Sequence, residues 1–180
     1  MKKILSSTSV FLLKVLSYLP LSILYGISSL FYVLIYKIVK YRRRVVRENL
    51  SNAFPDYDVK QLDKIESSFY AYLCDLILET IKGYRMSRAA VKKRVVFNET
   101  KIYDDLFAQG KSGIVVLGHQ GNWEWVCKAA PLWVKNRLVI VYKPLSDKNF
   151  EEFMIKTRSE FGAIQVPMSG VAKFILTQKE

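Results

Sequence analysis

An uncharged stretch near the amino end dominates the hydrophobic pattern of the chain. Residues 15–36 run for 22 positions without a charged side chain. As a helix at about 1.5 Å per residue, they would reach roughly 33 Å, enough to cross a hydrocarbon core of about 30 Å. The stretch therefore predicts a membrane helix, either crossing the bilayer or lying in one leaflet. A buried hairpin of two short helices, broken near Gly26, is the alternative.

A basic run comes after this stretch and bears on its orientation. Its members are Lys37, Lys40, Arg42, Arg43, Arg44 and Arg47. Because positive flanks mark the cytoplasmic side of a membrane helix, the rest of the chain is expected to face the cytoplasm. The pattern divides the chain into a membrane anchor with a basic juxtamembrane segment, residues 1–45, and a second region, residues 46–180.

Apolar positions at spacings of three and four predict helices downstream of Pro55. The longest should run from Val59 to Tyr84, with Asp58 as its cap. A short basic helix is expected over residues 88–94 behind a Ser87 cap. Another helix should extend from Thr100 to Gly110.

Short β-branched runs then alternate with helical patterns. Residues 114–117, between Gly113 and Gly118, predict a buried strand, and residues 138–142 and 163–166 predict two more. Residues 95–97 suggest a further short strand. Helices are expected from Asn122, over residues 150–161 and from Ser169 onward. This alternation predicts an α/β fold with a mixed sheet flanked by helices.

Composition narrows the possible partners and excludes most metal sites. The chain carries 28 Lys and Arg against 16 Asp and Glu, a formal net charge of +12, which favours anionic partners. No helix-turn-helix or RNA-binding signature supports nucleic acid. Cys74 and Cys127 form no CxxC pair, and the chain has one histidine. We therefore expect no metal site and no cofactor.

Candidate chemistry is concentrated in residues 118–124, Gly-His-Gln-Gly-Asn-Trp-Glu. His119 suits a general base because its ordinary pKa is close to working pH. Glu124, five positions on, could orient the imidazole, and Gly121 would leave room for substrate. Spacing alone also allows structural roles: His119 in a core, and Glu124 in a first helical turn behind an Asn122 cap.

The whole heptad resembles the first motif of the bacterial lipid A biosynthesis acyltransferases, within the lysophospholipid acyltransferase superfamily. Only Gln120 falls on a variable position of that motif. Residues 47–50 and 54–55 resemble the family's entry after the membrane segment. Residues 142–145 resemble its Tyr-Arg/Lys-Pro-Leu element. Residues 158–162 resemble its Arg-x-Arg-Phe-Gly element, with Glu160 in place of a basic residue.

This resemblance implies a glycerolipid-acyltransferase-like fold at the inner membrane. The donor would be an acyl thioester on acyl carrier protein, and the acceptor a hydroxyl of a lipid A precursor. His119 would be the base and Glu124 its partner. Substrate-binding roles would fall to Gly121, Asn122, Lys143 and Arg158. With no serine or cysteine beside His119 in the motif, direct transfer is preferred to an acyl-enzyme.

The family's members are longer and carry a later motif with an Asp-Gln pair. The resemblance therefore implies a truncated chain, the second region being the amino-terminal part of an acyltransferase domain. Two alternatives stay open. One is an acyltransferase with another acceptor, such as a lysophospholipid or an aminolipid. The other is an inactive fragment that acts only as a basic membrane-binding module.

Overall fold

A computed structural model describes residues 2–178, with side chains from Ser7 onward. The described chain is mostly helical and folds as two compact units. One unit comprises Leu19–Glu79. The other combines the residues up to Tyr18 with those from Thr80 onward.

The unit Leu19–Glu79 is entirely helical within the described chain. Helix α2 spans Leu21–Tyr32 and continues as a π-helical turn, Val33–Ile38. Helix α3 spans Arg43–Ala53, and α4 begins at Val59 and runs on to Gly83. The stacked rings of Tyr36 and Tyr70 lie in the core of this unit, with centroids 5.0 Å apart.

The second unit holds the remaining helices and both strands. Helix α1 spans Lys2–Leu16, α5 Arg88–Arg94, α6 Lys101–Ala108 and α7 Trp123–Ala129, the last followed by a 3-10 turn, Ala130–Leu132. Strand β1 spans Val139–Tyr142, α8 Lys148–Ser159, β2 Ile164–Pro167, a 3-10 turn Met168–Gly170, and α9 Val171–Thr177. The strands pair in parallel, Val139 opposite Ile164, and α8 forms the crossover that such a pair requires.

The predicted membrane stretch, residues 15–36, is not one helix. Helix α1 ends at Leu16, and α2 begins at Leu21 behind Pro20. Proline lacks an N–H and disfavours helical geometry in the residue before it, so the break falls there and not at Gly26, which lies inside α2. In the part of the chain that the structure describes, Leu21–Ile38 is the one helix long and apolar enough to cross a membrane.

Two predicted strands are wrong. Residues 114–117 lie outside regular structure and are largely exposed, with Ile114 at 94% and Val116 at 89%. Residues 95–97 also lie outside regular structure. Neither segment has a ladder partner among the described residues, and β-branched side chains alone do not make a strand. The sheet of the described chain therefore has two parallel strands, and it is not mixed.

Local helix signals are confirmed closely. The Asp58 carboxylate accepts a hydrogen bond from the Gln61 N–H, and the Gln61 side chain accepts one from the Asp58 N–H, each at 2.8 Å, which makes a capping box at the start of α4. The Ser87 hydroxyl accepts from the Ala90 N–H at the start of α5. Strands β1 and β2 and helices α7 to α9 begin within two residues of their predicted positions.

Candidate active site

The motif that contains His119 is a loop leading into a short helix. Gly121 has a φ of +60°, in the left-handed region that side chains other than glycine rarely adopt. The backbone conformation of the turn thus favours glycine at position 121, independently of any space that it leaves for substrate. The Asn122 side chain then accepts a hydrogen bond from the Trp125 N–H at 3.0 Å and caps α7, as the capping interpretation predicted.

Glu124 lies in the first turn of α7, buried, and both of its oxygens are engaged. Arg158 of α8 donates from Nε to Oε2 at 2.7 Å and from Nη2 to Oε1 at 2.6 Å. This is the two-pronged geometry in which a guanidinium binds a carboxylate most strongly. Burial by itself would lower the pKa of Arg158, but the hydrogen bonds and charge of Glu124 outweigh it and raise that pKa. Arg158 therefore keeps its positive charge beside Glu124.

His119 lies on the exposed loop before α7. Its ring meets the edge of Trp123, with centroids 4.7 Å apart and planes inclined at 64°. Among the described side chains, His119 and Glu124 form no hydrogen bond, and the partner of Glu124 is Arg158. The imidazole is thus open to solvent and to substrate, and it is not packed into a core.

Cys127 lies one helical turn beyond Glu124 and borders the same ion pair. Burial raises the pKa of its thiol, and the negative charge of Glu124 raises it further. Because the thiolate is the nucleophilic form, a raised pKa leaves Cys127 protonated at neutral pH. A raised pKa makes Cys127 a poor nucleophile at that pH.

Comparison with models of protein families gave a match over nearly the whole chain. The family described as bacterial lipid A biosynthesis acyltransferase matches residues 1–179. The chain belongs to this family. It is therefore an acyltransferase by family, with a lipid A-type acceptor. No curated protein and no solved structure matched the chain significantly.

Three stretches that carry the acyltransferase resemblance meet in this site. Glu124 comes from the first motif, Arg158 from the third element, and Tyr142 from the second. The Tyr142 hydroxyl donates to the Glu151 carboxylate at 3.1 Å, and its pKa is raised by burial and by that hydrogen bond. The positive charge of Arg158 acts in the opposite direction and lowers the pKa of Tyr142, although the net shift is upward. Lys143, the next residue, is exposed.

Sequence reasoning missed two contacts near this site. Arg158 was expected to bind an anionic group of the substrate, yet in the structure its partner is Glu124. Glu160, which replaces a basic residue of the family's element, pairs with the fully buried Lys128. The Lys128 ammonium also donates to the Gly83 carbonyl at 2.5 Å and lies 4.7 Å from the centre of the Phe161 ring. The one sequence feature that could have indicated the contact between Glu160 and Lys128 is the acid at position 160, where the family's element has a basic residue.

Proposed function

We propose that the chain transfers a fatty acyl group from the thioester of acyl carrier protein to a hydroxyl of a lipid A precursor, at the cytoplasmic face of the inner membrane. The observation that carries this proposal is the exposed imidazole of His119, held at the entry of α7 within the family's first motif. A general base needs such access to an incoming hydroxyl.

In the proposed reaction, His119 removes the hydroxyl proton as the oxygen attacks the thioester carbonyl. The tetrahedral intermediate collapses, the C–S bond breaks, and the departing thiolate takes the proton back from the imidazolium. Each carboxylate oxygen has two lone pairs, so Glu124 can accept a further hydrogen bond while Arg158 holds it. An imidazole N–H donating there would be oriented for catalysis, as in other histidine–acid pairs.

Charge and hydropathy support the proposed partners and location. A formal net charge of +12 is complementary to an acidic carrier protein and to a phosphorylated glycolipid. The helix Leu21–Ile38 has a mean hydropathy of 1.6 and is followed by the basic run. A basic flank on the carboxyl side of this helix favours a cytoplasmic orientation of the residues beyond it.

The test is transfer of a radiolabelled acyl chain from acyl carrier protein to a lipid A precursor, using purified chain in detergent. His119→Ala should lower the rate about 100-fold or more, the usual contribution of a general base. Gln120→Ala is the matched control, since it alters the adjacent exposed loop residue and should retain activity. Equal rates for the wild type and His119→Ala would refute the proposed base.

The acceptor is tested in the same assay with lysophospholipid and aminolipid added in place of the precursor. If transfer to lysophospholipid or to aminolipid is faster than transfer to the precursor, that lipid is the acceptor and the lipid A precursor is not. The histidine mechanism would still stand. An inactive wild-type chain that still binds anionic vesicles would favour the membrane-binding module instead.

A further inference from the structure

A cavity of about 320 Å³ lies in the second unit, remote in sequence from the motif at 118–124. Helices α1 and α8 pack together there, and Tyr84 adjoins them. Val10 and Phe153 form part of its apolar wall. The Tyr84 ring stacks on Phe153, with centroids 4.8 Å apart and planes inclined at 10°. Phe153 thus covers one face of the Tyr84 ring.

Two lysines from different helices converge on the Tyr84 ring. The Lys14 ammonium of α1 lies 5.9 Å from the ring centre, and the Lys156 ammonium of α8 lies 5.4 Å from it. Glu152 also lines the cavity, but no described carboxylate lies within salt-bridge distance of either ammonium. Because both ammoniums lie close to the centre of the same ring, their like charges repel each other. An anion between them would relieve that repulsion.

The cavity is continuous with an exposed apolar face of α1. Phe11 lines the cavity and is also 64% exposed. Further exposed apolar side chains on α1 and just after it are Leu12, Val15 and Tyr18. Their spacing puts them on one side of the helix, whereas Val10 and Leu13 pack inward. At 15 residues, α1 is about 22 Å long, too short to cross a bilayer but suited to lying in its interface.

We propose that Lys14, Lys156 and Tyr84 bind the phosphate of an anionic phospholipid, whose acyl chains lie along the exposed face of α1. A lipid fits better than an acidic protein because the anion site adjoins apolar surface that acyl chains would cover. The site is separate from the proposed catalytic centre. On α8, Lys156 and Arg158 differ by two positions and thus point about 200° apart around the helix.

The experiment is native mass spectrometry of the chain released from detergent micelles, titrated with dioleoylphosphatidylglycerol or with dioleoylphosphatidylcholine. The double variant Lys14→Gln, Lys156→Gln should weaken phosphatidylglycerol binding about thirtyfold, because each lysine beside an anionic headgroup contributes about fivefold. The control variant Lys93→Gln, Lys173→Gln removes the same charge from exposed lysines of α5 and α9. It should bind like the wild type. Arginine at both cavity positions should retain binding.

Four results would overturn the proposal. Equal binding of the two lipids by the wild type would show that no anion is recognised. Equal losses in the cavity variant and the control variant would show a general charge effect. Complete competition by millimolar inorganic phosphate would show a free-anion site. The last result concerns binding of acyl carrier protein, measured for the same variants. If the cavity variant loses binding of acyl carrier protein but keeps binding of phosphatidylglycerol, the surface recognises a protein and the proposal fails.

Discussion

The ion pair between Glu124 and Arg158 can be measured by a double-mutant cycle. The cycle comprises Arg158→Met, Glu124→Gln and the two changes together. Methionine keeps much of the apolar stem of arginine, and glutamine keeps the shape of the carboxylate, so charge and hydrogen bonding are the main losses. The pair is well suited to this test because both hydrogen bonds are short, at 2.6 and 2.7 Å.

The expected magnitude depends on burial. The side chain of Glu124 is 9% exposed and that of Arg158 is 18% exposed. When one partner is removed, water can therefore replace few of the hydrogen bonds that the other partner loses. Removing one partner of a buried pair usually costs about 3–5 kcal/mol, because it leaves an unpaired charge. Arg158→Met should lie in that range. The double variant leaves no such charge, so the coupling free energy should be about 2–3 kcal/mol.

The assay is urea unfolding in mild detergent, followed by circular dichroism at 222 nm. A matched cycle at Arg44 and Glu48 serves as control, since that pair lies on α3 with a 3.5 Å separation and side chains 89% and 62% exposed. Its coupling should be below about 1 kcal/mol. If the cycle at Glu124 and Arg158 gave no more coupling than this control, the ion pair would not hold α7 to α8.

Three further predictions rest on single contacts. Gly121→Ala should destabilise the chain by about 1–2 kcal/mol, because alanine is strained at a φ of +60°, and an unchanged unfolding midpoint would contradict that conformation. Glu160→Arg should lower the free energy of unfolding by about 3 kcal/mol, because it places a second cation beside the buried Lys128. Glu160→Gln should lower it by less. Equal losses for the two variants would refute the charge argument. Alkylation of Cys127 by iodoacetamide in a Cys74→Ala background should stay slow at pH 7 and accelerate only at a higher pH than for an ordinary cysteine, because its raised pKa keeps the thiolate scarce. Rapid labelling at pH 7 would contradict the raised pKa.

Local signals explain most of what the sequence predicted correctly. Asp58, Ser87 and Asn122 each cap the helix that comes after them, since a short side-chain oxygen needs only the next turn of backbone to be satisfied. Helix α4 was recognisable from its apolar spacing alone. Such features depend on residues within about four positions, which a single sequence contains in full.

Features that depend on distant residues were not predictable in the same way. Residues 114–117 have the composition of a buried strand. A strand forms only if it pairs with another segment, and composition does not show which segment that would be. Arg158 and Glu124 are 34 positions apart, and their contact depends on how α7 packs against α8. The motif at 118–124 identified the site because the resemblance singled out its residues, whereas spacing alone left catalytic and structural roles open.

The basic run after the apolar helix shows how structure changes the meaning of a charge count. Arg43 and Arg47 both donate to the buried Glu66, which is 1% exposed, and Arg47 also pairs with Asp63, so these two carboxylates offset the two positive charges within the unit Leu19–Glu79. The cations of the run that remain exposed are Lys37, Lys40, Arg42 and Arg44. Exposed cations are the ones that can reach anionic headgroups, and Arg44 among them also pairs with Glu48. The orientation rule counts Lys and Arg near the end of the helix and gives little weight to acidic residues, so the proposed cytoplasmic orientation rests on all six cations of the run, whereas Glu66 and Asp63 reduce how many of them act at the membrane surface.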